Sequence, residues 1–128
     1  MKKRFVLFSL LVVSLVVITG CHKTIGGYYI KYEVEIVGNT SGYTFATMNT
    51  DHDLQEFEIT RSFSEIFGPV RHNFTAHIEV YCTKSSQALY TVRIYACKGE
   101  ETFALKKTKE MRGPTSKNPL VLDYKIDF

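Results

Sequence analysis

The segment Phe74-Thr75-Ala76-His77-Ile78-Glu79-Val80-Tyr81-Cys82 alternates between two kinds of side chain along its whole length. Its even-numbered residues are apolar or small, and its odd-numbered residues are polar or amphipathic. A period of two is typical of a β-strand with one buried face. The same alternation returns after the turn-forming residues 84–87, with Tyr90, Val92, Ile94 and Ala96 on one side. The two segments are predicted to form a β-hairpin.

Alternating segments of the same kind lie on both sides of this predicted hairpin. They span residues 28–37, 43–48, 55–63, 102–107 and 120–128. We expect the first two to form a hairpin around residues 38–42, because Gly, Asn, Thr and Ser favour turns. Gly68-Pro69 is expected to interrupt the chain, and residues 108–119 to form an open polar loop. A helix over residues 54–67 is the alternative to the strand at 55–63.

These segments give seven short strands, and their spacing is near the 8 to 12 residues of small β domains. One-sided strands bury their apolar faces when two sheets pack together. The sequence therefore predicts an all-β, seven-stranded immunoglobulin-like β-sandwich over residues 28–128. A small closed β-barrel is the alternative, because periodicity does not separate the two. The predicted core consists of Ile30, Tyr32, Val34, Ile78, Val80, Val92, Ile94, Leu122 and Tyr124.

Length and composition limit what the chain can be. Its 128 residues allow one small domain, and 45% hydrophobic residues indicate a globular chain. Three Cys, four His and no Trp are too few for a dense disulfide framework or a multi-ligand zinc module. A multidomain enzyme is excluded.

The first twenty residues have the organisation of a secretory signal peptide. Met1-Lys2-Lys3-Arg4 is cationic, and residues 5–18 are apolar except for Ser9 and Ser14. A membrane span needs about 20 apolar residues, so this run is too short for a permanent anchor. Cleavage of residues 1–20 is therefore expected.

The four residues Ile18-Thr19-Gly20-Cys21 resemble the bacterial lipobox. The resemblance implies a diacylglyceryl thioether on Cys21, cleavage before it, and membrane attachment through acyl chains. Residues 21–27 would then be a short lipid-anchored tether. His22 stands where an Asp resembles an inner-membrane retention signal, so we expect an outer-membrane lipoprotein that faces the periplasm.

Charge argues against a nucleic-acid partner. The whole chain has 16 Lys and Arg against 13 Asp and Glu. Residues 1–20 contain three of these cations and no anion, so the expected mature chain is formally neutral. No basic surplus remains to neutralise phosphates, and we predict no nucleic-acid binding.

Three stretches of the predicted domain resemble small Ig-like lipoproteins of Bacteroidota. They are residues 32–34, 41–45 and 91–95, taken with the order of the predicted strands. The strand order also looks like the outer domain of mycobacterial small membrane proteins that accompany lipid transporters. Those proteins have a membrane helix where this chain has a lipobox, so a transporter partnership is not inferred. The first resemblance implies a non-catalytic interaction or accessory domain.

Motifs that accompany enzyme chemistry are missing from the sequence. It contains no Gly-x-Ser-x-Gly, His-Glu-x-x-His, phosphate-binding glycine loop or Cys-x-x-Cys. Asn49, Asp51 and Asp53 are spaced like the start of a calcium loop, but Leu54 and Thr60 stand where that loop needs Gly and Glu. We therefore predict a protein that is not an enzyme and has no cofactor and no metal.

The outer side of the predicted central hairpin is the candidate binding face. If Val80 faces Val92, Glu79 lies opposite Arg93 and His77 opposite Tyr95. Such pairs stabilise sheets, and Tyr and Arg are also enriched at binding surfaces. The face consists of His77, Glu79, Tyr81, Arg93 and Tyr95. Its partner would be an envelope protein or a glycan.

Two other functions remain open at this point. The domain could inhibit a host hydrolase such as lysozyme from the periplasm, or it could be a glycan-binding module. The lack of Trp removes the usual stacking platform for sugars.

The two remaining cysteines are predicted to be free thiols. The predicted register separates Cys82 from Cys97 by seven residues, or roughly 23 Å, too far for a disulfide. Cys82 falls on the inward side and is expected to be buried. Cys97 falls on the outward side and is expected to be more exposed.

Overall fold

The computed structural model describes residues 27–127. The predicted signal peptide, the lipobox with Cys21 and nearly all of the tether lie outside the described residues. Residues 27–127 form eight β-strands and contain no helix. The strands are β1 (Tyr28–Val37), β2 (Thr44–Thr50), β3 (Asp53–Ile59), β4 (Phe63–Val70), β5 (Thr75–Cys82), β6 (Leu89–Lys98), β7 (Ala104–Arg112) and β8 (Leu120–Lys125).

The eight strands form two antiparallel sheets of four. Sheet I has the order β4-β1-β6-β7, and sheet II has the order β3-β2-β5-β8. The two sheets remain separate, so the alternative prediction of a small closed β-barrel is wrong. The all-β sandwich of immunoglobulin-like type is confirmed.

The core lies between the two sheets and is built from the alternating apolar positions. Ile30, Val34, Ile78, Val80 and their counterparts on β6 are completely buried. Burial of each such side chain stabilises the fold by about 1.5–3 kcal/mol relative to exposure. Of the predicted core residues only Tyr124 is partly buried; it packs against the core from near the end of β8, where its hydroxyl donates to Asp127.

The segment predicted as one strand at 55–63 contains the end of β3 and the start of β4. The chain leaves sheet II at the end of β3 and enters sheet I at the start of β4, with only residues 60–62 between them. Ile59 and Phe63 are four residues apart and both contribute to the core, so the period of two continues through the crossing. The count is therefore eight strands instead of seven, and the alternative helix over 54–67 is wrong.

Gly68-Pro69 lies inside β4 and does not interrupt the chain. β4 is an edge strand, and its register against β1 shifts between Tyr28 and Ile30. A Cβ atom at Gly68 would lie 2.6 Å from the Tyr29 ring, so only glycine fits there. Edge strands and bulges are also where a strand tolerates proline, because no ladder hydrogen bond is lost.

Two other segment boundaries also differ from the prediction. β7 continues to Arg112, so part of the predicted open loop over 108–119 is strand. β8 ends at Lys125.

The two predicted hairpins are wrong. β5 pairs with β2 and β8, whereas β6 pairs with β1 and β7. Val80 therefore lies opposite Ala46 and Leu120, and not opposite Val92. β1 and β2 also belong to different sheets. Alternation shows which side of a strand is buried, but the loops at 38–43 and 83–88 decide which sheet it joins.

A tyrosine hydroxyl links the two sheets through the core. Tyr32 of sheet I donates to the Asn49 carbonyl at 2.5 Å and accepts from the His77 N–H at 3.2 Å. Both partners belong to the adjacent strands β2 and β5 of sheet II. Burial raises the pKa of this hydroxyl well above its ordinary value.

One side of the sandwich is bounded by the neighbouring edge strands β7 and β8. Lys107 and Lys109 lie opposite the buried residues Ile94 and Val92, so both lysines are on the inward side of sheet I. Their position at the edge keeps them exposed. The Lys109 Nζ atom donates to the Val121 carbonyl at 3.3 Å and thereby joins the two edges.

Candidate functional site

The five residues of the predicted binding face lie on opposite sides of the sandwich. His77, Glu79 and Tyr81 are on the outer face of sheet II, because they alternate with the buried residues of β5. Arg93 and Tyr95 are on the outer face of sheet I, by the same argument for β6. The single predicted face is therefore wrong, since it depended on pairing β5 with β6.

The part of the predicted face on sheet I is a set of mutually satisfied charges. Arg93 donates to the carboxylates of Glu33 at 2.9 Å and Glu35 at 3.0 Å, both on β1. Hydrogen bonding to Glu35 and Glu33 raises the pKa of Arg93. The Lys31 Nζ atom lies 4.3 Å from the centre of the Tyr95 ring. These contacts join β1 to β6, so they have a structural role.

The part on sheet II contains a histidine between two carboxylates. His77 Nδ1 lies 2.5 Å from Asp123 Oδ1, across the pair β5 and β8. His77 Nε2 lies 3.8 Å from Glu79 Oε2 on the same strand. All three side chains are partly or fully exposed at the surface of sheet II.

An aromatic pair lies next to these groups. Phe45 of β2 lies opposite Tyr81 of β5, and their ring centres are 5.7 Å apart. The Tyr81 hydroxyl donates to Glu56 at 3.3 Å. Desolvation and the neighbouring Glu56 carboxylate raise the pKa of Tyr81. Glu58 lies opposite Phe45 on β3 and brings a second carboxylate to the pair.

We call the surface formed by Phe45, Glu56, Glu58, Glu79 and Tyr81 the acidic aromatic face. The strands β2, β3 and β5 that form it contain no Lys or Arg. Rings that expose one side can pack against apolar groups, and the surrounding carboxylates favour a cationic partner. The face is therefore suited to binding a basic surface.

Sequence reasoning found Glu79 and Tyr81 but missed Phe45, Glu56 and Glu58. The signal was present, because all three lie at outward positions of segments predicted as strands. What the sequence did not supply was the pairing of β2 with β5 and β3. That pairing brings the five residues together.

The thiol of Cys82 belongs to a buried polar cluster. Its Sγ atom lies 2.7 Å from the Tyr90 hydroxyl, which lies 3.0 Å from Thr44 Oγ1. Burial raises the pKa of Tyr90 to about 12. The groups satisfy one another, which makes the cluster part of the core.

Both cysteines are free, as predicted, but only one of the two predicted exposures is correct. Cys82 is buried. Cys97 is also buried, although it was expected to be more exposed. Cys97 lies at the end of β6, opposite Tyr29 near the start of β1. Both side chains are buried, although Cys97 is on the outward side of sheet I.

Two other kinds of site are absent from the described residues, and an open hollow is present. Residues 27–127 contain no group of three or more His, Cys, Asp or Glu placed to hold a metal ion. The same residues contain no helix that is long and apolar enough to cross a membrane. An open hollow of about 640 Å³ lies beside residues 36–40 and 60–61, and its lining includes Arg61.

No protein-family model matches the chain, and no curated protein or solved structure gives a significant match to it. The resemblance to small Ig-like lipoproteins stays a prediction.

Proposed function

We propose that this chain is a cell-envelope lipoprotein, anchored through acyl chains on Cys21, whose Ig-like sandwich is a non-catalytic interaction domain. We further propose that the domain binds a basic envelope protein through the acidic aromatic face. The observation that carries this proposal is the Phe45–Tyr81 ring pair, surrounded by carboxylates on strands that contain no Lys or Arg.

The chemistry of this surface supports a protein partner. Phe45 and Tyr81 are only partly buried, so each retains apolar area that a partner can cover. Aromatic side chains near the centre of an interface contribute most to binding energy. The carboxylates of Glu56, Glu58 and Glu79 would increase the association rate with a basic surface and favour one orientation.

The short tether determines how the domain would stand on the membrane. Residues 22–27 separate Cys21 from the start of β1. A fully extended chain covers at most about 3.6 Å per residue, so six residues span roughly 20 Å. The end of the sandwich that contains Tyr28 would therefore lie near the membrane. We propose the periplasmic face of the outer membrane, because His22 replaces the Asp of an inner-membrane retention signal.

The anchor is tested by Cys21→Ser. We expect this variant to accumulate as an unprocessed precursor or to leave the membrane fraction, because the lipid attachment atom is lost. Normal processing together with unchanged partitioning into detergent would contradict the proposed anchor.

The binding face is tested by site-specific photo-crosslinking in native envelopes. A crosslinker at position 81 is expected to capture a discrete partner, and Glu56→Lys is expected to abolish the adduct. The matched control places the crosslinker at position 93, on the opposite outer face. Equal adducts from both positions would show that the acidic aromatic face is not selective.

Inhibition of a host hydrolase such as lysozyme is a second candidate function. The observation that favours it is the same acidic surface, which is complementary to a basic enzyme. Detergent-solubilised protein is expected to slow hydrolysis of cell walls, and Tyr81→Ala to relieve the inhibition while Arg93→Ala does not. Unchanged hydrolysis with the unmodified protein would remove this candidate.

A further inference from the structure

Four loops gather at the end of the sandwich opposite Tyr28. Consecutive strands run in opposite directions, so every second connection lies at the same end. We call this end the distal tip and define it by residues 38–43, 60–62, 83–88 and 113–119. The other end contains the turns at residues 51–52, 71–74 and 99–103.

The distal tip is basic, and its loops contain no Asp or Glu. They contribute Arg61, Lys84 and Lys117, and Arg112 lies at the adjoining end of β7. All four side chains are exposed, and none forms an ion pair within residues 27–127. The opposite end has charges of both signs, with Asp51, Glu100, Glu101 and Asp127 beside Arg71, Lys98 and Lys125. The distal tip differs from it because its loops carry cations alone.

Hydrogen bonds join three of these loops into one continuous row. The Thr83 N–H donates to the Tyr43 carbonyl at 2.8 Å, and the Gly113 N–H donates to the Ala88 carbonyl at 3.0 Å. Gly113 has a φ of +53°, and a Cβ atom there would lie 2.2 Å from the Ser86 carbonyl oxygen. The close approach of loops 83–88 and 113–119 therefore needs glycine. The row places the backbones of Lys84 and Lys117 at defined positions along the tip.

The hollow of about 640 Å³ lies at one end of this row. Its lining combines a guanidinium group from Arg61, an amide from Asn39 and hydroxyls from Thr40 and Thr60. The hollow is open to solvent, so it would contact one sugar unit at the surface without enclosing it. Arginine matches carboxylates and phosphates with two parallel hydrogen bonds. Amides and hydroxyls are suited to bonding the hydroxyl groups of a sugar.

We propose that the distal tip binds an anionic polysaccharide, with one acidic sugar in the hollow beside Arg61 and the chain continuing across Lys84 towards Lys117. The row spans the width of four strands, which is roughly 15 Å. This length allows contacts with several consecutive sugar units. This site adjoins the acidic aromatic face, because Glu58 shares a smaller hollow with Thr40 and Thr60. It contains none of the five residues of that face and does not depend on the proposed function.

The observations favour a glycan over a nucleic acid. Single-stranded nucleic acids bind through aromatic platforms on which successive bases stack. Tyr43 is the only aromatic residue in the four loops of the tip. The same scarcity removes the stacking platform that many sugar sites use, so a glycan would be held by hydrogen bonds and ionic contacts. Nine of the loop residues are Ser or Thr and provide hydroxyls for such bonds.

The experiment measures binding of the full-length protein in detergent micelles to polygalacturonate, a carboxylated polymer. Neutral dextran and a single-stranded oligonucleotide are measured beside it. We expect binding to polygalacturonate that weakens as salt increases, and weaker or no binding to the other two. The double reversal Arg61→Glu/Lys84→Glu is expected to weaken binding at least about tenfold, because two ionic contacts become repulsive.

Control variants distinguish binding at a defined site from a general effect of net charge. Arg71→Glu/Lys125→Glu makes the same change in net charge at the opposite end. Arg71 lines an open hollow of about 820 Å³ there, but that lining includes the carboxylate of Asp51, which repels an anionic sugar. This variant is therefore expected to bind normally. Arg61→Lys keeps the charge but loses the bidentate geometry, and is expected to weaken binding by less than the reversal. If the double reversal does not fold in a thermal melt, Arg61→Gln alone provides the test.

Three outcomes would overturn the proposal: an equal loss in the Arg71/Lys125 control, equal binding of dextran, or oligonucleotide binding as tight as that of polygalacturonate. Cys21→Ser and Tyr81→Ala are expected to retain polysaccharide binding. Failure of the proposed function would therefore be distinguishable from failure of this site.

Discussion

The Tyr32 hydroxyl accepts a hydrogen bond from the His77 backbone N–H, although the two residues belong to different sheets. The same hydroxyl donates to Asn49 on the neighbouring strand of sheet II. Sheet I is thereby attached to the backbone of sheet II at a fixed position. The contact limits sliding of one sheet over the other, which apolar packing alone does not prevent.

Removing this hydroxyl is expected to destabilise the domain. Tyr32→Phe leaves the Asn49 carbonyl and the His77 N–H without their partner, so we expect the free energy of unfolding to fall by about 1–3 kcal/mol. Tyr95→Phe is the matched control, because its hydroxyl makes only a long 3.5 Å contact at the surface. Urea denaturation of both variants measures the difference, and equal stabilities would contradict a role for the Tyr32 bond.

Truncation of a core isoleucine tests the assignment of the buried faces. Ile78 and Ile94 are completely buried on opposite sheets. Replacing either with alanine removes apolar contacts and leaves a cavity, so we expect a loss of roughly 2–5 kcal/mol. Leu54→Ala is the control at an exposed position and should cost less than about 0.5 kcal/mol in the same denaturant titration.

The two thiols of the sandwich should react only after unfolding. Cys82 and Cys97 are both free and buried, so alkylation under native conditions is expected to be slow at each. In denaturant without reductant, mass spectrometry should find both modified. A disulfide between them, or rapid native alkylation of Cys97, would contradict the structure.

Alkaline pH should unfold the domain by ionising buried tyrosines. The pKa of Tyr90 is raised from 10.0 to about 12, because burial disfavours its charged form. The unfolded chain releases this proton first, so stability from Tyr90 is complete below pH 10 and is lost as pH rises towards 12. Denaturation midpoints measured between pH 10 and pH 12 test this dependence of stability on pH. Tyr90→Phe is expected to flatten it, and an unchanged slope would exclude Tyr90 as the cause.

The ion pairs of Arg93 should contribute little to stability. The side chain bonds Glu33 and Glu35 at a surface where water screens the charges. We expect Arg93→Ala to lower the free energy of unfolding by about 0–1 kcal/mol. A thermal melt of the variant at low and high salt would check this, because a larger effect should depend on ionic strength.

The sequence predicted which side chains are buried better than it predicted which strands are neighbours. Alternation is a local property, and it identified Ile30, Ile78 and Ile94 correctly as core residues. Strand pairing is a long-range choice that alternation does not encode. Val80 would be buried equally well opposite Val92 or, as the structure has it, opposite Ala46.

The same limit explains the outcome for the candidate site. His77, Glu79 and Tyr81 were placed together correctly because they belong to a single strand. Arg93 and Tyr95 were added through a wrong hairpin, and they lie on the other side of the molecule. Arg61 was not singled out, because the period of two continues through it and places it inside the predicted strand at 55–63 instead of in a loop.

The inward lysines of β7 have a consequence for aggregation. The outermost strand of a sheet offers unpaired backbone groups to any extended segment of another molecule. A segment added to β7 would cover Lys107 and Lys109 on the inward side and remove water from two ammonium groups, at a cost of several kcal/mol per ion. Fibre growth by addition of strands at this edge is therefore disfavoured.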